Sequence, residues 1–269
     1  MASIYGDRNN NKLIGTNSPD KIDGKGGNDL LVGKGGSDRL LGSKGNDKLL
    51  CGDGNDFANG GGGDDRIRGG NGIDELIGAG GDDKLFGGSE DGFLYGGKGN
   101  DSIWGGPAKD HLYGGSGKDS LDGKEGDDVL YGGKGKDVLI GSDDFVTRDF
   151  GNDALYGGAG SDRLRAGPGE DILFGGGGAD KFYFNPFDSS GGFHATISDF
   201  EPMSDKIVYV GSKYDGVDLE GVLAKATSDG TNTTIIFLEA GNPIYGEAVT
   251  VTLLGIDDVS KIADDFLFK

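Results

Sequence analysis

The chain has 269 residues and a formal net charge of −20, with 46 Asp and Glu residues against 26 Lys and Arg residues. This balance argues against nucleic acid as a partner and against simple electrostatic attachment to an anionic membrane, because the sequence shows no basic patch to meet phosphates. The length predicts one long body with a small cap, and the lone Cys51 cannot form an internal disulfide.

The N-terminal residues, Met1 to Arg8, lack the apolar core of a signal peptide. No apolar run elsewhere in the chain approaches the length that a membrane-spanning helix needs. We therefore expect neither an N-terminal signal peptide nor a transmembrane segment.

A nine-residue unit recurs between Gly6 and Tyr183, with the pattern G-G-x-G-x-D-x-U-x, in which U is an apolar residue. The clearest copies are 96–104 and 132–140. Asn11 takes the aspartate position in a degenerate first copy, and Gly92 takes it once further along. A short period held over this length is the signature of a solenoid. The aspartate position is otherwise filled by Asp20, Asp29, Asp38, Asp47, Asp56, Asp65, Asp74, Asp83, Asp101, Asp110, Asp119, Asp128, Asp137, Asp153, Asp162, Asp171 and Asp180.

The U position lies two residues after each aspartate position, and its neighbours on either side are mixed in character. This spacing predicts a three-residue strand whose middle side chain points into a core. Only Ala58 is small at this position. The U residues are Leu13, Ile22, Leu31, Leu40, Leu49, Ala58, Ile67, Leu76, Leu85, Leu94, Ile103, Leu112, Leu121, Leu130, Leu139, Leu155, Leu164, Leu173 and Phe182.

The composition of the turns predicts metal binding. A three-residue strand needs an immediate reversal, and glycine permits the positive φ angles and close stacking that such a turn requires. Closely stacked turns leave carbonyl oxygens without partners, and one carboxylate per turn completes a set of hard oxygen donors. Such donors in a flexible geometry favour Ca²⁺ over Mg²⁺ and transition metals.

The repeat resembles the RTX nonapeptide of hemolysin-type calcium-binding proteins. The resemblance implies an all-β fold, a parallel β-roll, in which two nonapeptides form one turn and Ca²⁺ lies between turns. Each ion would be held by two Asp side chains and by backbone carbonyls.

The resemblance also assigns the residues to two edges of the roll. One edge, called edge one, would carry Asp20, Asp38, Asp56, Asp74, Gly92, Asp110, Asp128, Asp153 and Asp171. Edge two would carry Asn11, Asp29, Asp47, Asp65, Asp83, Asp101, Asp119, Asp137, Asp162 and Asp180. The carbonyl ligands implied by the resemblance are those of Gly61, Gly63, Gly70, Gly72, Gly97, Gly99, Gly115, Gly117, Gly133, Gly135, Gly158, Gly160, Gly176 and Gly178.

A glycine-rich flexible linker is the alternative for this region, but a linker has no reason to keep an apolar residue two positions after each aspartate. Phosphate binding by the glycine-rich segments is disfavoured, because none is followed by Lys-Ser/Thr and a helical pattern.

The stability of the repeats is predicted to depend on metal. The apolar U residues alone are too few to offset the conformational entropy lost when so much glycine-rich backbone is ordered. We therefore predict that the repeats are largely unfolded without Ca²⁺ and fold on binding it.

Two irregularities interrupt the repeat. Glu90 and Gly92 replace Gly and Asp in one turn, which predicts weakened or missing Ca²⁺ there. Residues 141–153 form one enlarged turn, which is interpreted as a tolerated surface bulge rather than as a binding element. Because only the turn grows, Asp153 is predicted to stay on edge one.

The chain is predicted to divide into the repeat body, 1–183, and a C-terminal all-β cap, 184–269. Strands are predicted at 196–200, 205–210, 235–238 and 248–254, with a short helix at 219–226. The segments 179–184, 197–200 and 205–207 resemble the C-terminal region of serralysin-type RTX proteins, as does the ending 265–268. That resemblance implies a β cap with an uncleaved type I secretion signal, and hence type I secretion machinery as a partner.

The sequence argues against an enzyme, since it contains neither H-E-x-x-H nor G-x-S-x-G. His111 and His194 lie far apart, and both are interpreted as lacking a catalytic partner. The preferred interpretation is a secreted calcium-binding protein, extracellular or at the cell surface, with a structural or interaction role. The alternatives are a membrane-active or pore-forming RTX protein and a module of a larger secreted enzyme or adhesin that binds a polysaccharide or a surface. The first alternative needs an apolar or acylated segment, which the sequence lacks.

Overall fold

Two parallel sheets run along the molecule in the computed structural model, which describes residues 1–142, 151–184, 193–210, 227–228, 230–237 and 249–268. Sheet A has the strand order β1-β3-β5-β7-β9-β11-β13-β15-β17-β19-β21-β25-β24-β23, and sheet B has the order β2-β4-β6-β8-β10-β12-β14-β16-β18-β20-β22-β26. From β1 to β22, consecutive strands alternate between the sheets, so that two strands and two turns make one coil. The architecture is the predicted all-β parallel β-roll, with about ten turns.

The strands carry the following bounds. In the repeats they are β1 (Ala2–Tyr5), β2 (Lys12–Ile14), β3 (Asp20–Asp23), β4 (Leu30–Gly35), β5 (Arg39–Lys44), β6 (Lys48–Asp53), β7 (Phe57–Gly62), β8 (Arg66–Asn71), β9 (Glu75–Gly80), β10 (Lys84–Gly88), β11 (Phe93–Lys98), β12 (Ser102–Gly106), β13 (His111–Gly117), β14 (Ser120–Lys124), β15 (Val129–Gly135), β16 (Val138–Ile140), β17 (Ala154–Gly160), β18 (Arg163–Arg165), β19 (Gly169–Gly178) and β20 (Lys181–Phe184). Beyond them lie β21 (Phe193–Ile197), β22 (Lys206–Tyr209), β23 (Thr227–Ser228), β24 (Thr233–Phe237), β25 (Val249–Leu253), a 3₁₀ helix (Val259–Asp265) and β26 (Phe266–Phe268).

The core is the row of U side chains, as the sequence predicts. Leu94, Leu112 and Leu130 are partners in register on adjacent strands of sheet A, and each is fully buried. Every U residue from Ile22 to Phe182 is fully buried, whereas Leu13 in the first copy is partly buried. One buried residue per strand therefore forms a narrow apolar core along the coil.

Most of the strands are longer than the predicted three residues. From β1 to β18 they contain three to seven residues, because pairing continues into the turn. Gly97 pairs with Gly115, and Lys98 pairs with Ser116, in the same register as the core residues. The glycine turns are consequently part of the sheet edges rather than free loops.

The turns require positive φ at the second and fourth positions of the repeat. Gly97 has φ 115° and Gly99 has φ 122°, values that glycine adopts without strain. Lys34 and Ser43 occupy the second position with φ 85° and 83°. The backbone therefore keeps a positive φ at this position even where glycine is replaced.

The enlarged turn leaves the register intact, as predicted. Leu130 pairs with Leu155 and Tyr131 with Tyr156, across a separation of 25 residues instead of 18. Residues 143–150 lie outside the described part of the chain, so the role of this turn stays a prediction.

The C-terminal strands extend both sheets. β21 pairs in parallel with β19, and β22 pairs in parallel with β20, while β24 and β25 pair antiparallel. The four strands predicted after the repeats are confirmed with shifts of a few residues, and the predicted helix at 219–226 falls outside the described ranges. In the described part of the chain, no helix combines the length and apolar character that crossing a bilayer demands.

Aromatic residues stack along the outer faces. On sheet A, Tyr95, Tyr113, Tyr131, Tyr156 and Phe174 form a continuous column with ring centroids 4.7–5.0 Å apart. Stacked pairs contribute about 0.5–1.5 kcal/mol beyond their buried area. The column therefore reinforces the register of five successive coils.

Candidate metal-binding turns

The aspartates of each edge form a hydrogen-bonded ladder. Along each edge, one carboxylate oxygen, Oδ1, of an aspartate accepts the backbone N–H of the residue at the same position one coil earlier. Among the described residues, Asp110, which follows Gly92, is the exception. On edge two the distances from Asp83 N to Asp101 Oδ1 and from Asp101 N to Asp119 Oδ1 are both 2.8 Å. On edge one the distance from Asp128 N to Asp153 Oδ1 is 2.9 Å. The structure thus brings the predicted aspartates together along the two predicted edges.

The second carboxylate oxygen, Oδ2, is buried in most rungs and accepts no hydrogen bond from the described residues. A buried carboxylate oxygen without a partner is costly, because burial removes its hydration. Rows of such oxygens fit a bound cation, which would supply the missing partner. The aspartates concerned are Asp29, Asp38, Asp47, Asp56, Asp65, Asp74, Asp83, Asp101, Asp110, Asp119, Asp137, Asp162, Asp171 and Asp180.

The first glycine of each turn lies directly against the buried Oδ2 atom. A methyl group on Gly114 would lie 2.7 Å from Asp119 Oδ2 and 2.6 Å from the carbonyl oxygen of Gly132. A methyl group on Gly157 would meet Asp162 Oδ2 and the next coil's carbonyl at the same two distances. The first-position carbonyl thus lies beside the buried carboxylate oxygen. The sequence analysis did not include it, although a first position held by glycine in nearly every copy was the available signal.

The carbonyls implied by the family resemblance point between coils. The carbonyl oxygens of Gly97 and Gly99 face the Cα atoms of Gly115 and Gly117 in the next coil. In contrast, the third-position carbonyl of Ser116 accepts the N–H of Gly99 at 2.9 Å. The second- and fourth-position carbonyls therefore lie where a Cβ atom on the matching glycine of the next coil would stand.

The donor set consists of hard oxygens. Among the described residues, no three His, Cys, Asp or Glu side chains converge as a metal cluster. What the edges offer is two carboxylates for each interval between coils, together with backbone carbonyls. Such a set suits Ca²⁺, which prefers carboxylate and carbonyl oxygens, and does not suit zinc or copper.

Comparison with known families decides the identity. The family model for the RTX calcium-binding nonapeptide repeat matches residues 5–40, 23–58, 32–67, 59–94, 86–121, 113–145 and 148–182. These segments cover well over half of the chain. The chain belongs to the RTX calcium-binding repeat family. Its repeats bind Ca²⁺.

Three solved structures are similar to parts of the chain. The AlgE6R3 subunit of the mannuronan C5-epimerase from Azotobacter vinelandii is 30% identical over 54% of this chain and 80% of its own, with a TM-score of 0.38. The AlgE6R2 subunit of the same enzyme is 27% identical over 62% and 91%, with a TM-score of 0.36. The extracellular lipase LipA from Serratia marcescens is 20% identical over 80% and 40%, with a TM-score of 0.30. No curated protein matches the chain.

The ends of the two RTX ladders differ from their middles. Asp20 Oδ2 accepts the backbone N–H of Thr16 at 2.7 Å, and its Oδ1 accepts the N–H of Ala2. Asp205, which sequence analysis did not include in edge two, accepts the N–H of Asp180 and that of Glu201. Both oxygens of each terminal aspartate are thus satisfied by backbone groups. The D-x-U spacing of 205–207 was the available signal for this last rung.

Edge one is interrupted at Gly92, where sequence analysis predicts a weak site. Both oxygens of the buried Asp110 accept no hydrogen bond within the described region. In addition, the carbonyl of Gly70 accepts the N–H of Ser89 at 3.0 Å. The interval has therefore lost one carboxylate. The bond to Gly70 is not special to it, since the carbonyl of Gly106 accepts the N–H of Glu125 at 3.1 Å in the same way.

Burial raises the pKa of the ladder carboxyls. The pKa is raised to about 7 for Asp65, Asp74 and Asp110, with burial as the largest cause. It is raised to about 6 for Asp56, Asp83, Asp101, Asp119, Asp137 and Asp162. In Asp20 the pKa is lowered instead, chiefly by the hydrogen bond from Ala2 N–H. Without metal, the ladder therefore favours protonated carboxyls near pH 6.

This protonation predicts a pH dependence of opposite sign for the metal-free and the calcium-loaded chain. The raised pKa values stabilise the metal-free roll below about pH 4, and this contribution is lost as the pH rises through 6 to 7. Calcium needs ionised carboxylates, so its affinity is expected to fall as the pH drops from about 7.5 to about 5.5. Calorimetric titration at pH 6 in buffers of different ionisation enthalpy should show protons released on calcium binding. An affinity independent of pH across this range would contradict the prediction.

Proposed function

We propose that this RTX protein is secreted and that its roll folds on Ca²⁺ outside the cell, where it has a structural or interaction role. The observation that carries the proposal is the pair of rows of buried carboxylate oxygens along the two edges. Extracellular calcium modules bind at about 10⁻⁴–10⁻³ M, a concentration that the cytosol does not reach. A chain with this requirement would stay unfolded inside the cell and fold after export.

The metal ligands we propose are the aspartates of both edges from Asp29 to Asp180, with the carbonyls of the glycines implied by the family resemblance. To these we add the first-position carbonyls, such as Gly132, which lie beside the Oδ2 atoms. We propose that Asp20 closes edge one rather than binding metal, because backbone N–H groups already occupy both of its oxygens. Asp205 would close edge two in the same way.

The proposed role is not catalytic. The repeats account for 1–183, and the remaining residues, 184–269, are proposed as the cap that ends the roll. Strands β22 and β26 pair in parallel, with Ile207 opposite Phe266, so the C-terminal segment completes sheet B. The same segment carries the resemblance to an uncleaved type I secretion signal. We therefore propose type I secretion machinery as the export route.

Export can be tested in a bacterial host that carries a type I secretion system. A chain that ends at Asp258, and so lacks β26, is expected to appear in the medium at least about tenfold less than the full chain. Asp101→Asn serves as the matched control, since it alters the roll and leaves the C-terminal segment intact. Equal export of the shortened chain would contradict the assigned route.

A further inference from the structure

Cationic side chains gather on the outer face of sheet B, although the chain as a whole is strongly acidic. Lys48, Arg66 and Lys84 are partners in register on β6, β8 and β10, and all three are exposed. Adjacent strands lie about 4.8 Å apart, so these charges form a single file along the roll. The sequence alone predicts no basic patch. The fold corrects that expectation, because residues 18 positions apart in the chain become neighbours.

A second row beside this file holds Arg68, Phe86 and Trp104. The Arg68 guanidinium lies 5.0 Å from the centre of the Phe86 ring, and Trp104 stacks on Phe86 at 4.7 Å with an interplanar angle of 7°. Arg66 also approaches the Phe86 ring, at 5.1 Å. Stacking orients a guanidinium without using its N–H groups. Both arginines therefore keep their hydrogen-bond donors available. Together, Lys48, Arg66, Arg68, Lys84, Phe86 and Trp104 are called the cationic face.

Among the described residues, the cationic face forms no ion pair with an acidic side chain. The two residues that flank the buried U residue in β6, β8, β10 and β12 include no Asp or Glu. The ion pairs within the described ranges lie elsewhere, at Lys124–Asp122, Lys206–Asp265 and Lys261–Asp257. Four cations that form no ion pair with the described residues share one flat surface of an acidic protein. They are complementary to an anion that the described residues do not supply.

Bound calcium would change the electrostatic potential at the cationic face. Asp47, Asp65 and Asp83 directly precede Lys48, Arg66 and Lys84 on edge two, so the charge of these carboxylates contributes to the electrostatic potential near the cationic face. Bound Ca²⁺ would neutralise those carboxylates and leave the cations dominant. The attraction for an anion thus requires the calcium-loaded roll, and in this respect the inference rests on the proposed function.

We propose that the cationic face binds a linear polysaccharide that bears carboxylates, extended along the roll axis. Arginine forks bind carboxylates in a bidentate manner, and a file of charges suits a polymer with regularly spaced acid groups. A single-stranded nucleic acid would need free ring faces for its bases. Here Arg68 and Trp104 already lie against Phe86. The rings lie parallel in a stack and do not project as the inserted anchors of a membrane-binding surface would.

The test uses the full chain in calcium and reads the fluorescence of Trp104, which is the single tryptophan and lies on the face itself. Short oligogalacturonates are the probe, and their methyl esters are the uncharged control. Binding of the acid form, without binding of the ester, is expected to shift the emission. The double substitution Arg66→Gln with Arg68→Gln should weaken binding by roughly tenfold or more. Arg39→Gln is the matched control, because Arg39 lies 4.1 Å from the Phe57 ring on sheet A.

Circular dichroism in calcium separates the possible failures. A roll that folds on calcium but ignores the oligogalacturonates overturns this inference and leaves the proposed function standing. A chain that does not respond to calcium at all overturns the proposed function. Equal binding by the double variant and by Arg39→Gln contradicts the assigned face. Tighter binding of oligo-dT or of phosphatidylserine vesicles contradicts the assigned class of partner.

Discussion

Chelation of calcium from the folded chain is expected to abolish most of its β structure and to expose Cys51. This thiol is fully buried in the first position of a turn, and burial raises its pKa, with further contributions from Asp56, Asp74 and Asp38. Above about pH 7 and without metal, the ionised carboxylates of each row repel one another and the narrow core cannot hold the coils together. The rate of labelling by a thiol reagent should rise by at least about a thousandfold, because about 5 kcal/mol of stability keeps the open form below one part in a thousand.

The measurement follows thiol labelling and far-ultraviolet circular dichroism in the same samples, with chelator, Ca²⁺ or Mg²⁺ present. The chain unfolded in denaturant supplies the reference labelling rate. Magnesium should not protect Cys51, since it requires a tighter octahedral geometry than these flexible turns provide. Protection that persists in chelator, together with an unchanged spectrum, would show that core and cap hold the roll without metal.

Replacement of a ladder carboxylate by an amide is expected to weaken calcium binding far more than the same change at an exposed aspartate one coil away. Asp101 lies in the middle of edge two, where Oδ1 accepts the N–H of Asp83 and Oδ2 is buried and unpartnered among the described residues. Asp101→Asn keeps the shape and one acceptor but removes the charge that faces the metal. The calcium midpoint of folding should rise by at least about tenfold, the lower range for disruption around a metal site.

Asp82→Asn is the matched control. Asp82 is exposed, and its Oδ1 accepts the N–H of Asn100 at 2.7 Å, an acceptor role that an amide oxygen can also fill. Its calcium midpoint should stay within error of the parent chain. Equal shifts for the two variants would mean that net charge, rather than the ladder position, governs calcium binding.

Spacing alone was enough to predict the core and most of the ladder. The U and aspartate positions recur every nine residues, so the period by itself places Leu112 in the core. The assignment of Asp101 to edge two and the alternation of strands between two sheets came from the RTX resemblance, which implies two nonapeptides in each turn of the roll. Even the enlarged turn was readable, because Asp153 resumes the D-x-U pattern.

Features that depend on three-dimensional contacts could not be read from the period. Asp20 fits the repeat in sequence, yet Thr16 replaces a glycine in its turn and its N–H reaches the carboxylate. The proximity of Gly132 O to Asp119 Oδ2 arises only when coils stack. Similarly, Lys48, Arg66 and Lys84 are scattered along an acidic chain, and only the register of the sheet brings them together.

The central claim is that the buried Oδ2 rows hold calcium between the coils. A crystal structure of the full chain grown in millimolar calcium, with anomalous data, tests it most directly. The account predicts ions beside the Oδ2 atoms in the intervals of both edges, absent or weak next to Gly92, and none at Asp20 Oδ2. Coils that stack in the same way with no ions beside those oxygens would contradict it.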